Sequence, residues 1–422
     1  MNFSEDHDVI VIGAGAGGMT AACVAAAEGL ATLLIEKADR VGGTTSVSGG
    51  MVWVPANAKM RAAGLTDSLE KARLYLSHTV PGDFNRELRE TFLTRASEAI
   101  EYLEARTALA LKPVTFYPDY YPDLPGATLG GRVLEPVPFD GRELGSHFGM
   151  LRPPLPEFML FGGMIEENTN NAYWAPVSRF RRPDGTPAVY PHTITDRGKP
   201  GFIAVDRRGQ RFTNEAVSYH EFVQAMFRAR AIPAFLICDR ADLWKYGLGA
   251  VKPFTVSLGA HTASGYLARG TSIRTLAEAL GIDAAALEAT VLRHNEDARA
   301  GVDRAFGKGG NAYGKYVGDP DHTPNPCMGP IEHGPFHAVA LYPADLGTAA
   351  GLRTNVHAQV LDDADAPIAG LYACGNDMSS IMNGGYPGPG ITLGPALTFG
   401  YIAGRHLARP ERQTVKPGRS TE

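Results

Sequence analysis

A short apolar run, Val9 to Ile12, is followed at once by Gly13-Ala14-Gly15-Ala16-Gly17-Gly18. Every residue of the run is β-branched, which predicts a buried parallel strand over Asp8 to Ile12. Met19 to Gly29 is rich in alanine and stops at a glycine, the pattern of a helix and its end. Ala31 to Ile35 is a second short apolar run, ending at Glu36. Together they make one strand-helix-strand unit. From Asp67 to Leu111 apolar residues recur every three or four positions, which predicts helix. Phe116 to Pro156 carries proline, glycine and aromatic residues without a period and reads as ordered loop. Phe202 to Val205, Ala234 to Cys238, Phe336 to Tyr342, Gln359 to Leu361 and Gly370 to Cys374 read as strands. Ser272 to Ala300 reads as two helices, with Leu276 and Leu280 on one and Leu287 and Val291 on the other. A last helix is expected from Thr392 to Leu407, and the polar tail from Pro410 is expected to fray. After Ile35 no clear third parallel strand precedes Phe202. A doubly wound sheet needs several such strands. The sheet is therefore either small or completed by C-terminal strands.

Length and charge narrow the picture. A chain of 422 residues is too long for one compact core and suits two domains. The formal net charge of -5 leaves no basic excess for nucleic acid or an anionic membrane surface. The cysteines, Cys23, Cys238, Cys327 and Cys374, lie far apart and form no CxxC pair, so reduced thiols are expected, and no metal site. No apolar stretch has transmembrane length, and the N-terminal residues lack the basic and apolar regions of a signal peptide. The expected location is the cytoplasm. Glycine and proline concentrate in GAGAGG, GGTTSVSGG and NGGYPGPG. The backbone is therefore shaped at particular places.

The first of these places has the chemistry of a dinucleotide site. Gly13, Gly15 and Gly18 fit GxGxxG between a strand and a helix, and Glu36 ends the next strand. Gly13 permits the tight turn. Gly15 lets the backbone approach a pyrophosphate, and Gly18 lets helix and strand pack closely. Ala16 and Gly17 open the helix, where free N–H groups and the macrodipole favour an anion. Glu36 can accept both hydroxyls of the adenosine ribose, with Lys37 beside it. A second glycine loop follows at once, Gly42-Gly43-Thr44-Thr45-Ser46-Val47-Ser48-Gly49-Gly50, and this is a flavoprotein feature. Gly43, Thr44, Thr45, Ser48, Gly49 and Gly50 are its candidate contacts. Near the other end, a strand reaches Gly375-Asn376-Asp377, and Gly384-Gly385-Tyr386-Pro387-Gly388-Pro389-Gly390 leads into the last helix. Prolines fix φ there and glycines permit unusual φ, so the loop is rigid. A helix opening at Thr392 and Leu393 would aim its N–H groups at the electron-rich edge of a reduced flavin. Asn376, Asp377, Thr392 and Leu393 complete the candidate FAD contacts.

At these residues the chain resembles the fumarate reductase and 3-ketosteroid dehydrogenase group of flavoproteins. The nearest likeness is to 3-ketosteroid Δ1-dehydrogenases and their relatives. It runs through Asp8 to Gly18, Glu36 to Gly50, Asp119-Tyr120-Tyr121-Pro122, Arg211-Phe212-Thr213-Asn214-Glu215 with Tyr219, and Gly370 to His406. The resemblance implies an α/β fold. A Rossmann-like FAD-binding domain would form from residues 1–182 and 347–422, with an inserted α+β substrate (cap) domain at 183–346. It also implies roles. The Tyr386 hydroxyl and the Gly390 N–H polarise a ketone, which acidifies the adjacent C–H. Tyr219 takes the proton, Tyr120 hydrogen-bonds to Tyr219, and a hydride passes to flavin N5. Tyr121 is the alternative register for Tyr120. His220 is a rival base that would face the other way if the two residues share a strand. The implied substrate is a small, apolar, steroid-like ketone; the electron acceptor is left open. Fumarate reduction fits less well, because Tyr386 and Pro387 stand where such relatives carry a cationic clamp for carboxylates. Arg353 is the residual candidate for such a clamp.

The likeness breaks at one place. The family has a long stretch between its FGGM-like and NNxYWAPV-like segments, including an Ala-Thr-Gly-Gly turn beside the cofactor. Here Phe161-Gly162-Gly163-Met164 runs almost directly into Asn170-Asn171-Ala172-Tyr173-Trp174. This agrees with the absent third strand. Two alternatives stay open: a truncated homologue without catalysis, and an FAD enzyme acting on a non-steroid enone or carboxylic acid.

Overall fold

The computed structural model describes residues 6–153, 172–182, 184–193 and 196–409. The tail from Pro410 and the FGGM segment lie outside them. The chain forms two compact units, one of Met1–Thr115, Gly131–Pro153 and Ala349–Glu422, the other of Phe116–Gly130 and Pro154–Thr348. The architecture is a Rossmann-like α/β unit with an inserted α+β unit. These bounds differ from 1–182, 183–346 and 347–422 in that Phe116–Gly130 and the strand ending at Arg181 group with the inserted unit.

The first unit opens with β1 (Val9–Ile12), α1 (Ala16–Ala27) and β2 (Thr32–Ile35). The two strands are parallel, with Val9 opposite Thr32 and Ile12 opposite Ile35. Gly13 makes the turn at φ +99, and a Cβ on Gly18 would lie 2.0 Å from Gly13 O. Only glycines allow that strand and helix to meet so closely. Next come β3 (Val52–Trp53), α2 (Ala58–Ala62), α3 (Leu69–Thr79) and α4 (Arg86–Arg106). The helical pattern from Asp67 onwards is thus two long helices, parted where Pro81 withholds an N–H and Gly82 takes φ +68. β4 (Leu111–Pro113) and β5 (Val133–Pro136) join β3 in an antiparallel sheet of order β3-β5-β4. The loop expected over Phe116 to Pro156 therefore contains a strand, and also a 3₁₀ run at Gly141–Met150.

The second unit contains β6 (Ala172–Arg181), β7 (Pro187–Pro191), β8 (Ile203–Val205), α5 (Tyr219–Ala229), β9 (Ala234–Cys238), α6 (Arg240–Tyr246) and α7 (Gly259–Ala263). It continues through β10 (Ala268–Gly270), α8 (Ile273–Leu280), α9 (Ala284–Ala300), α10 (Ala312–Val317) and β11 (Phe336–Thr348). The sheet order is β7-β6-β11-β9-β8, with β10 also on β11, and every pairing is antiparallel. β9 is buried on both faces. Ala234, Leu236 and Cys238 pack with Phe222 and Met226, while Phe235 and Ile237 pack with Leu276 and Leu287. The period of two along the strand sorts one apolar run into two cores.

The chain then returns to the first unit with β12 (Gln359–Leu361), β13 (Pro367–Tyr372) and α11 (Leu393–Leu407). α11 lies against α1, where a Cβ on Gly400 would sit 2.6 Å from Gly17 O and one on Gly404 2.7 Å from Val24 Cβ. Among the described residues β1 pairs only with β2, and β12 pairs only with β13. The parallel sheet is small, and the C-terminal strands do not extend it.

Candidate active site

The glycine turns of the first unit meet at one place. A Cβ on Gly17 would lie 3.0 Å from Gly375 N, and one on Gly43 3.1 Å from Gly15 Cα. The Gly42 N–H donates to Ala14 O (3.0 Å), and the Ala16 N–H to Thr45 Oγ1 (3.1 Å). By contrast, a Cβ on Gly13 would meet nothing within 4 Å, and on Gly15 only Thr45 Oγ1 at 4.0 Å. The turn therefore faces open space, while the glycines behind it are tightly packed. Glu36 points back to this turn: its Oε2 accepts from Ala14 N (2.8 Å) and its Oε1 from Ala38 N (3.0 Å). These backbone donors hold its carboxyl below the usual carboxylate range. Lys37, Thr44 and Gly49 are exposed beside it. Ser48 is buried and its Oγ accepts from Gly50 N (2.9 Å), so it braces the loop. Gly50 needs its φ of +65. A helix N-terminus without a first-turn acid, open space over Gly13 and Gly15, and a carboxylate at the strand end fit the pyrophosphate and ribose of FAD.

The C-terminal contribution is equally fixed. Asn376 and Asp377 sit in a 3₁₀ turn, Gly375–Asp377, and are exposed there. Burial against that turn pushes the Cys374 thiol up to about 12. The YPGPG loop is held from several sides. The Tyr75 hydroxyl donates to Pro387 O (2.6 Å), Arg89 to Ile381 O (3.1 Å), Asn383 to Pro81 O (2.9 Å) and the Trp53 N–H to Gly390 O (3.1 Å). Arg132 pairs with Asp67 (2.7 Å), both buried, and lies 5.4 Å from the Trp53 ring and 5.5 Å from the Tyr75 ring. Tyr75, Arg132 and Trp53 carry no motif, so no local pattern announces this brace. Gly390 has φ +85, and a Cβ there would lie 2.6 Å from Met51 O. Its N–H donates to no acceptor among the described residues. Tyr386, four residues earlier, is buried. Thr392 precedes α11 and Leu393 opens it.

Tyr120 and Tyr219 are brought together in the second unit, with ring centroids 5.8 Å apart in an edge-on contact. Tyr219 is the first residue of α5, not part of a strand, and Ser218 caps the helix by accepting from Glu221 N (3.2 Å). His220 is buried, and its Nδ1 accepts from Trp174 N (3.1 Å), so its ring is engaged in packing β6. Tyr121 lies near Glu221 and Arg228, and burial raises its phenol well above the ordinary value. The ring in contact with Tyr219 is that of Tyr120. Tyr313, which carries no motif, also packs on Tyr120, its ring 4.9 Å away. The Tyr313 hydroxyl is buried without a hydrogen-bond partner among the described residues.

The Arg211-Phe212-Thr213-Asn214-Glu215 motif builds the approach to α5. Arg211 donates to both Glu215 oxygens at 2.8 Å and to both Asp303 oxygens at 3.0 and 2.9 Å. Glu215 also accepts from Ala204 N (3.0 Å), and Lys308 Nζ lies 3.5 Å away. Arg353 bonds to Asp365 (2.7 Å) and Asp362 O (2.9 Å) at the surface and is therefore engaged in its own loop. Among the described residues no helix is long and apolar enough to cross a membrane.

The first unit thus defines an FAD-binding oxidoreductase, and residues 8–158 and 158–393 match the FAD binding domain family. The 4-oxocyclohex-2-ene-1-carboxylate 5-dehydrogenase of Sinomonas cyclohexanicum is 31% identical over 95% of this chain and 94% of its own length. The 3-oxosteroid 1-dehydrogenase of Mycolicibacterium smegmatis is 30% identical over 96% and 97%. The crystal structure of 3-ketosteroid Δ1-dehydrogenase from Sterolibacterium denitrificans with 1,4-androstadiene-3,17-dione superimposes with a TM-score of 0.88, at 30% identity over 95% of this chain and 99% of that one. The chain belongs to the 3-ketosteroid dehydrogenase-like family of FAD-dependent oxidoreductases acting on CH–CH groups. The alignment with the Sinomonas enzyme spans 555 positions, against 422 residues in this whole chain. More than a hundred of those positions therefore have no residue here, and the two stretches of the family match join at residue 158.

Proposed function

We propose that the protein introduces a double bond beside the ketone of a ring substrate, with a 3-ketosteroid as that substrate. The observation that carries this reading is Gly390, whose N–H has no acceptor among the described residues and sits in a rigid loop four residues after Tyr386. A phenol and an amide N–H aimed at one carbonyl oxygen stabilise the enolate that forms when the neighbouring carbon loses a proton. Tyr219, edge-on to Tyr120 and at the N-terminus of α5, receives that proton. Bound FAD supplies the acceptor for the hydride leaving the next carbon. Glu36 and the turn from Gly13 to Gly18 would hold its adenosine and pyrophosphate. A further Sinomonas relative, a 4-oxocyclohexanecarboxylate 2-dehydrogenase, supports a second reading, 4-oxocyclohexanecarboxylate as substrate.

The test is anaerobic mixing of FAD-loaded protein with 4-androstene-3,17-dione or 4-oxocyclohexanecarboxylate, followed in the visible flavin band. Bleaching by the steroid supports the first reading, and bleaching by the carboxylate alone supports the second. Tyr386→Phe is expected to slow bleaching by about 10²–10³, the cost of one oxyanion donor, with FAD binding unchanged. Bleaching by neither ketone sinks both readings.

A further inference from the structure

A tyrosine that removes a carbon-bound proton poses a chemical problem, because an ordinary phenol ionises only near pH 10. Something in its surroundings must favour the charged form. Arg197 is fully buried, and among the described residues its guanidinium forms no ion pair with a carboxylate. Its N–H groups donate to the carbonyls of His192, Thr193 (2.6 Å), Glu215 (2.7 Å) and Val217 (3.3 Å). The carboxylates nearby have other partners too. Asp196 accepts from the Arg197 backbone N–H (2.8 Å), His192 Nδ1 (2.6 Å) and Gly249 N (3.1 Å), and Glu215 is held by Arg211 with Lys308 at 3.5 Å. Two of the gripped carbonyls, Glu215 and Val217, belong to the segment that leads through Ser218 into Tyr219. The cation therefore lies under the N-terminus of α5, whose macrodipole has the same sign.

We propose that Arg197 is a positioning residue that supplies the positive charge enabling the Tyr120–Tyr219 pair to give up a proton and act as a base. The inference rests on the reading of Tyr219 as proton acceptor. Burial is the leading influence on Arg197 itself and works against its charge; after that come favourable interactions with Tyr313, Asp196, Glu215 and Tyr120. Two of these four partners are the phenols Tyr120 and Tyr313, whose rings lie 4.9 Å apart and tilted by 59°. An arginine stays protonated even when buried, so its field persists across the working range. Other described groups act on these phenols, Tyr121 on Tyr313 among them. Glu221 and Arg228 of α5 act on Tyr121, Glu221 and Tyr316 act on Tyr313, and His220 is turned to β6. Tyr313 is so deeply desolvated that burial outweighs Arg197 and keeps it neutral. Tyr219 is half-buried and meets Tyr120 edge-on.

The test reads phenol ionisation directly, by ultraviolet difference absorbance against pH on the full chain without substrate. One phenol is expected to ionise about 1–2 pH units below the ordinary value near 10. The step is expected to vanish in Tyr219→Phe, to rise by at least one unit in Arg197→Met, and to stay low in Arg197→Lys. Where Arg197→Met does not fold, the wild-type and Tyr219→Phe titrations decide. No step below the ordinary range, a step that survives Tyr219→Phe, or equal titration of wild type and Arg197→Met overturns the proposal. Turnover of 4-androstene-3,17-dione is measured separately. Full turnover by Tyr219→Phe would remove the underlying reading even if the low phenol step were present.

Discussion

Asp242 is a residue whose protonation is set by its surroundings, far from any motif. Its carboxyl is raised to about 8, first by burial and then by the charge of Asp239 and a hydrogen bond to it. Asp239 caps α6, accepting from Ala241 N (2.8 Å), Asp242 N (3.1 Å), Glu332 N (3.2 Å) and His333 N (2.9 Å). A carboxyl whose folded value exceeds its unfolded value near 4 stabilises the fold fully below the unfolded value. That contribution is lost as pH rises toward about 8. Wild type is therefore expected to lose stability between pH 4 and 8 relative to Asp242→Asn. Melting temperatures of the two proteins across that range check this, and a constant difference would mean that Asp242 titrates normally. Gly390 gives a second prediction at this scale. Its φ of +85 and the 2.6 Å approach of Met51 O to a Cβ leave no room for alanine. Gly390→Ala is expected to cost about 1–3 kcal/mol in urea unfolding and to displace the loop that carries Tyr386.

At the scale of elements, the decisive feature is how α5 is reached. The buried Arg211–Glu215–Asp303 group fixes the segment before Ser218, and Lys308 donates to Phe202 O (2.6 Å) beside it. Glu215→Gln would leave buried cations without their shared partner. It is expected to destabilise the protein by about 3–5 kcal/mol, measured by urea unfolding; a loss under 1 kcal/mol would show that the group is not needed for folding. The β1-α1-β2 unit was legible in the sequence because strand, glycine turn and helix each carry a strong local signal, and Glu36 marks the strand end. The pair α8 and α9 was legible from its leucine spacing. β5 was not, since four residues ending in proline are too short to show a period. The start of α5 was not read as helix, although Ser218 and Glu221 stand in the S-x-x-E pattern that opens helices. The Tyr120–Tyr219 contact followed from the resemblance alone, and Tyr313 and Arg197 lay outside it. Such residues act through tertiary neighbours that a local pattern does not encode.

For the whole molecule, the consequence of a short parallel sheet is an apolar surface. In an α/β sheet a parallel strand is normally buried on both faces, yet Ile10 is 60% exposed and Ile12 79% exposed. β1 has no second neighbour among the described residues. The family match joins at residue 158, and the alignment with the Sinomonas relative is longer than this chain. An open apolar edge promotes self-association. Ile10→Thr with Ile12→Thr is expected to change stability by less than about 1 kcal/mol, because these side chains bury little, and to lower light scattering at high concentration. FAD binding separates the edge from the cradle. A ligand that binds only the folded unit stabilises it by about 2.7 kcal/mol at a hundredfold excess over Kd, so added FAD is expected to raise the melting temperature of wild type and of the threonine variant alike. Glu36→Ala, which removes the carboxylate at the end of β2, is expected to need at least about tenfold more FAD for the same rise, the equivalent of one charge-assisted hydrogen bond. If the threonine variant lost the FAD response while Glu36→Ala kept it, the exposed isoleucines rather than the β2 carboxylate would be what the cofactor requires.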